Sequence, residues 1–392
     1  MRIPIFITLS LFAISSQAQW NTVYSDPSKN LVDIQFTSAD TGYVLGDNSV
    51  NAFLLKTIDG GLTWTELTLP LSFANRLYFM NNDRGYVIAG GVPVKLLKTI
   101  DGGVTWTGEF LDSSFVVMDF GMFNDSMGFY MNNAGRLRQI VSSGDDYSYI
   151  ADTCDGSDIE ITDPFTGYIA GNNYVLKTTN SGVSWNTMPT GLTNDIYPFT
   201  FSFASNSKGY LSTRDVSGMG EIFITTNGAV SWTPVYNFEA VFIDSRNNNC
   251  LAVNDTGKVT LSVNNGSTWL DEGLPVSFMG IETFRTHVSP ANEAFVINGY
   301  AGQIFKRGGE LGVDNQENEI AVNVYPNPFS NVLNVRLPEH QDFEFVLLDV
   351  SGRVLFTHKN QNQLDVSGLP EGMYAMRVSG KNFSQTIPLA KQ

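Results

Sequence analysis

Lys56–Trp64 reads KTIDGGLTW, and Lys98–Trp106 reads KTIDGGVTW about 42 residues further on. Fainter copies follow as KTTNSGVSW to Trp185, ITTNGAVSW to Trp232 and LSVNNGSTW to Trp269. Self-similarity at a period near 40 residues marks a repeat architecture rather than one irregular core. The chain has six tryptophans. Five close a copy of this stretch, and Trp20 opens WNTVYSD as Trp64 opens WTELTLP. The gap from Trp106 to Trp185 spans two periods. VSSGDDYSY, ending at Tyr149, keeps the register there with tyrosine in place of tryptophan.

A second landmark counts the units. Short apolar strands open on Gly-aromatic at Gly42, Gly85, Gly128, Gly167 and Gly209, with degenerate versions at Asn249 and Glu293. Around each lie apolar runs bounded by Asn, Asp and Gly, which is how strands and their turns read. Helical periodicity is nowhere sustained. The last unit stops after GQIFKRGG without an outer strand, and Trp20 supplies one at the other end of the chain. Such a closure leaves no open sheet edge. The expected fold is all-β: a seven-bladed β-propeller over 19–310, a polar linker over 311–321, and a small β-sandwich over 322–392.

Within the repeat, Thr57 and Asp59 can bond the backbone of a tight turn, and Gly61 can supply positive φ. Trp64 offers a large apolar face to pack between blades. Thr99, Asp101, Gly103 and Trp106 repeat the set. Later copies keep Trp185, Trp232 and Trp269 but carry Asn180, Asn227 and Asn264, which can form the turn bond without a carboxylate. That substitution points to a structural role rather than to catalysis or metal binding. The pattern T-x-D-x-G-x-T-W resembles the Asp-box, or BNR repeat, of sialidases and sortilin-type receptors. Over residues 20–310 the rhythm is similar to the photosystem II stability and assembly factor family, a resemblance that implies scaffold more than activity.

The ends address the protein. MRIPIFITLSLFAISSQA has one basic residue, an apolar run and Ser16-x-Ala18, which reads as a signal peptide (1–18). No later stretch approaches the ~20 apolar residues of a membrane span. A formal charge of −16 without a basic cluster argues against nucleic acid. Cys154 and Cys250 fall in non-adjacent units and are expected as separate thiols.

Beyond the linker, Tyr325-Pro326-Asn327-Pro328, the Asp349–Arg353 stretch with Gly352, and Leu369–Tyr374 with Gly372 and Tyr374 resemble the type A sorting domain of the type IX secretion system. The resemblance implies passage through the periplasm to the surface or medium of a member of the Bacteroidota. It implies as partners the secretion machinery and a sortase-like protease. Pro388 departs from the β-branched run usual near the end of such domains.

No catalytic set stands out. Arg76, Arg84, Arg136, Arg138, Arg214, Arg246, Arg285 and Arg307 could number a sialidase triad, but Arg-Ile-Pro occurs only in the leader. Glu160, Glu221, Glu239 and Asp244 read as solvated loop charges, and His287 as a surface or turn residue. The acidic stretch Asp145, Asp146, Asp152, Asp155 and Asp158 lacks the spacing of a calcium loop. Tyr78, Phe79, Phe120, Phe123, Phe201, Phe203, Phe242 and Phe284 read as packing between blades, with a channel mouth as the alternative. The expected protein is an exported binding module with no cofactor or metal and an unknown glycan, peptide or surface ligand. The alternatives are a polysaccharide hydrolase or an extracellular assembly factor. N-terminal sequencing of the exported protein should find Gln19; a start at Met1, or beyond Trp20, would remove both the leader and the ring closure.

Overall fold

A computed structural model describes residues 20–392 apart from 90, 92, 113–115, 142–148, 152–157, 172–173, 193–195, 216–219, 276–283, 309–310, 312–321, 338–341, 350–352 and 381–383. The leader, Cys154, most of the Tyr149 copy, Gly352, most of the linker and most of the acidic stretch lie outside the described residues. Every regular element described is a strand.

Seven four-stranded antiparallel sheets follow one another along the chain. Blade 1 runs Asn30–Phe36, Gly42–Asp47, Ala52–Thr57 and Thr65–Thr68, from the innermost strand to the outermost. The next five blades repeat that order. Blade 7 is composite: Phe284–Val288, Ala294–Asn298 and Gln303–Arg307 are completed by Trp20–Ser25, which pairs antiparallel with Gln303–Arg307.

The second strands are mostly apolar and buried on both faces, as GYVLGD at Gly42 and GYVIA at Gly85 show. They therefore read as continuous runs rather than alternating ones. Outer strands such as TELT at Thr65 are mostly exposed. Each pair of neighbouring blades encloses its own apolar cluster, seven in all, including one between blades 7 and 1. Tyr43 of blade 1 stacks on Phe79 of blade 2 at 3.7 Å, and Tyr168 of blade 4 on Phe203 of blade 5 at 3.6 Å.

Trp20 is 4% exposed and seals the composite blade. Its indole N–H donates to Glu272 of blade 6 at 2.8 Å, and Arg307, its cross-strand partner, pairs with the same carboxylate at 2.9 Å.

After the propeller strands come a three-stranded sheet, from Asn323–Tyr325, Val332–Arg336 and Gln363–Asp365, and a four-stranded one. The latter contains Phe343–Asp349, Val354–Lys359, Gly372–Gly380 and Ser384–Lys391. The two sheets enclose Phe329, Leu333, Phe345, Leu347, Met376 and Leu389. Asn327 accepts the Ala390 amide at 2.9 Å, and Tyr374 donates to the Pro370 carbonyl at 2.7 Å, so the quoted motif residues fix the chain's last strand and a corner. Pro326 and Pro328 each follow a cis peptide bond, and Gly372 has φ 150°.

Deleting Gln19–Asp26 should expose the Gln303–Arg307 edge and lower the propeller's melting temperature far more than an ordinary terminal trim. Unchanged melting would count against closure by Trp20–Ser25.

Candidate functional site: the central channel

The innermost strand of each blade is a sheet edge whose outward N–H groups find no strand beside them. In blades 1, 2 and 4 to 7 side chains from the preceding blade accept them. Asp33 accepts from Leu77 at 3.1 Å, Asp119 from Ile159 at 2.7 Å, and Asp158 from Phe201 at 3.1 Å. One turn deeper, Gln35 accepts from Phe79 at 2.7 Å, Glu160 from Phe203 at 2.8 Å, Ser202 from Ser245 at 3.0 Å and Asp244 from Val288 at 2.6 Å. His287 completes that layer by accepting the Phe36 amide at Nε2, 2.9 Å away, while Nδ1 faces Asp244 at 3.1 Å.

Glu160, Asp244 and His287 are therefore channel residues on inner strands, not solvated loop charges or a surface turn. Local sequence shows no partner for them because each partner is one repeat away. The inner strands bulge just ahead of Asp33, Arg76, Asp119 and Thr200. A bulge re-aims the following side chain.

Burial dominates the channel's titration. It raises Asp33, against the pull of Arg76 and Arg285. Burial pushes Asp119 up to about 7, with the neighbouring Asp158 carboxyl adding to the rise, and burial raises Asp158 as well. Glu160 rises well above the usual range through burial and the nearby Asp244 charge. Asp244 moves the other way: burial would raise it, but His287 and two backbone donors outweigh that.

Arg76 pairs with Asp119 at 3.3 Å. Arg285 lies 3.3 Å over the Phe242 ring, and burial and Arg76 bring its pKa down to about 9, so it stays cationic at neutral pH. Of the eight arginines named above, these two face the channel residues. Arg307 is held by Glu272. Phe79, Phe120, Phe123, Phe201, Phe203 and Phe284 are buried between blades, whereas Phe242 carries Arg285.

The turn residues lie far from this channel. Thr57 Oγ1 accepts the Gly61 amide at 2.9 Å and donates to Asp59 at 2.8 Å. Asp59 in turn accepts the Leu62 and Thr63 amides at 3.0 and 2.9 Å and the Thr63 hydroxyl at 2.6 Å. Thr99, Asp101 and Gly103 reproduce this arrangement. In the asparagine copies the last bond reverses: Asn180, Asn227 and Asn264 donate from Nδ2 to Ser184, Ser231 and Thr268 at 2.9, 2.9 and 2.8 Å. A hydroxyl that can rotate makes either residue fit.

Trp64, Trp106, Trp185, Trp232 and Trp269 stand at blade junctions but are only half-buried. Trp64→Ala should therefore cost on the order of 2 kcal/mol, less than a fully buried indole would.

The lysine that faces the aromatic residue of the second strand, ahead of the turn threonine in blades 1 and 4, is a further inter-blade contact that local turn chemistry does not reveal. Lys56, Lys177 and Lys306 donate to the carbonyls of Gly102, Gly228 and Gly60 on the next blade at 3.0, 3.1 and 2.8 Å. Each crosses the aromatic ring of its own blade's second strand.

Residues 12–115 match the family profile of the photosynthesis system II assembly factor YCF48, and 323–391 that of the secretion system C-terminal sorting domain. The propeller is thus followed by a stretch that matches the sorting-domain profile. The photosystem II assembly lipoprotein Ycf48 of Prochlorococcus marinus is 34% identical over 64 residues, 16% of this chain and 18% of that protein. The structure of YCF48 bound to D1 peptide superposes with TM-score 0.56 at 16% identity, over 75% of this chain and 98% of that one. The GH74 xyloglucanase of Xanthomonas campestris gives TM-score 0.57 at 13% identity, over 82% of this chain and 59% of that one. At such identities the likeness is one of fold.

Two titrations should separate turn from channel. Asp59, held down at about 2 chiefly by the Thr63 hydroxyl, adds stability above about pH 4 that is lost as pH falls through 2. Asp59→Asn should abolish that loss and leave melting unchanged near neutrality. The raised Asp119 acts in the opposite sense: the folded state binds the extra proton, so stability falls as pH rises from about 4 to about 7. Asp119→Asn, which can still accept from Ile159 and donate to Asp158, should flatten the melting profile over that window.

Proposed function

We propose that the protein is an exported propeller whose role is binding, with its ligand taken at the mouth of the channel beside Arg285 and Phe242. The leader, a propeller over 19–310 and the sorting domain over 322–392 make up that division of labour, with the secretion machinery and its sortase-like protease as partners of the last.

The observation that carries the reading is the occupation of the channel carboxylates. Asp33, Asp119, Asp158, Glu160 and Asp244 each accept an inner-strand amide of the next blade. Asp119 and Asp158 touch one another, whereas glycoside hydrolysis uses carboxyls about 5–9 Å apart with the sugar between them. A guanidinium lying on an aromatic face suits a carboxylate or the face of a sugar ring. The YCF48 structure with a bound peptide supports the peptide class. The xyloglucanase likeness favours the hydrolase reading, on fold alone.

The purified exported protein, tested on glycan and peptide arrays with hydrolysis products assayed alongside, should bind without turnover. Arg285→Met should weaken binding at least tenfold with melting preserved; catalytic release of products would overturn the reading. Deleting Val322–Gln392 should leave a folded propeller in the periplasm, and normal export of the truncated chain would remove the sorting role.

A further inference from the structure

The strand Phe343–Asp349, FEFVLLD, does not alternate as a strand with one wet face should. Phe343, Phe345 and Leu347 enter the sandwich core. Val346 and Leu348 lie on the opposite face, where Leu348 pairs with Ala375 of the neighbouring strand. That second face is covered too: Leu348 and Ala375 are 5% and 1% exposed, clustered with Phe165 of blade 4 at 4% and with Val346 at the edge.

Phe165 breaks the repeat. It occupies the turn position whose carbonyl accepts the amide of the blade's outer turn, at 2.9 Å from Ser181. Asp40, Asp83, Ser207 and Asn248 hold that position in blades 1, 2, 5 and 6, accepting from Gly60, Gly102, Gly228 and Asn265. Four polar residues and one phenylalanine perform the same backbone task. The difference therefore lies in what the side chain meets, and the side chain meets the sorting sheet.

We propose that Val346, Leu348 and Ala375 form a docking face for Phe165, by which the sorting domain is carried seated on blade 4. The domain does not travel as a free appendage, as its polar linker alone would suggest. The contact is apolar at its centre and opposed at its margin: Lys177 of blade 4 has its pKa lowered by burial and by the nearby Arg377. Docking of this kind is strengthened by salt, which screens the like charges and leaves apolar contact intact.

The test uses the full chain, by small-angle scattering and hydrogen exchange. Phe165→Asp places on blade 4 the residue that blades 1 and 2 already use there, so the propeller should melt unchanged while the radius of gyration rises. Ala375→Glu approaches the same contact from the sorting domain. It should also expand the chain and speed exchange of the Phe165 and Thr166 amides several-fold. Raising salt should keep the wild type compact and expand neither it nor the variants further. Wild type and both variants scattering alike, or a wild type that loosens in salt, would overturn the proposal.

Discussion

An edge strand facing a channel carries amides that no strand can satisfy, and every propeller blade has one. In this protein the inner strands of blades 1, 2 and 4 to 7 find an acceptor in a side chain of the blade before them. The acceptors are carboxylates, an amide, a hydroxyl and, at the last junction, an imidazole. The arrangement explains why ionisable groups are enclosed where burial is costly. Their value lies in joining neighbouring blades at the axis, where apolar packing between blades is narrowest. Farther out the same junctions are held by Tyr-on-Phe stacking and by the lysines that reach the next blade's glycine carbonyl. Blades 1 and 4 are thus each bound to the next blade at three radii by three kinds of contact.

This layering decides what could be read from the sequence. The outer turn is local chemistry: Thr57, Asp59 and Gly61 bond within five residues, so the motif is visible as a string. The strand order and the use of Trp20–Ser25 to complete the ring follow from counting those strings. The inner layer is non-local. Asp158 and Phe201, or Asp244 and Val288, meet at a separation of one repeat, and no short window contains both. A faint signal was present nonetheless. Polar residues recur within the inner strands, as in Asp33-Ile34-Gln35, Arg76-Leu77-Tyr78 and Asp158-Ile159-Glu160, at the period of the tryptophans. Strict alternation of polar and apolar residues in a strand enclosed by its neighbours means that the polar face looks onto something polar, here the channel.

The two halves of the molecule also differ in what their sequences specify. The turn bonds recur from blade to blade within this chain, in aspartate and asparagine copies alike. Channel residues are free to differ, provided each supplies an acceptor. Asp, Glu, Gln, Ser and His all do so in this one ring. The channel lining therefore has room to change along the axis without disturbing the fold, and Arg285, lying on Phe242, is one of its cationic members.

The interchange of aspartate and asparagine in the outer turns has a consequence for how the protein ages. Asparagine followed by glycine is chemically fragile, and Asn227 precedes Gly228. Attack of the Gly228 nitrogen on the Asn227 side-chain carbonyl expels ammonia and gives a succinimide. Opened to aspartate, it leaves the carboxylate that Asp59 and Asp101 employ, with the Ser231 hydroxyl rotating from acceptor to donor. Opened to isoaspartate, it carries the backbone through the side chain and removes the turn's acceptor. Both products add a negative charge to the rim of the blade, and only the aspartate keeps the turn.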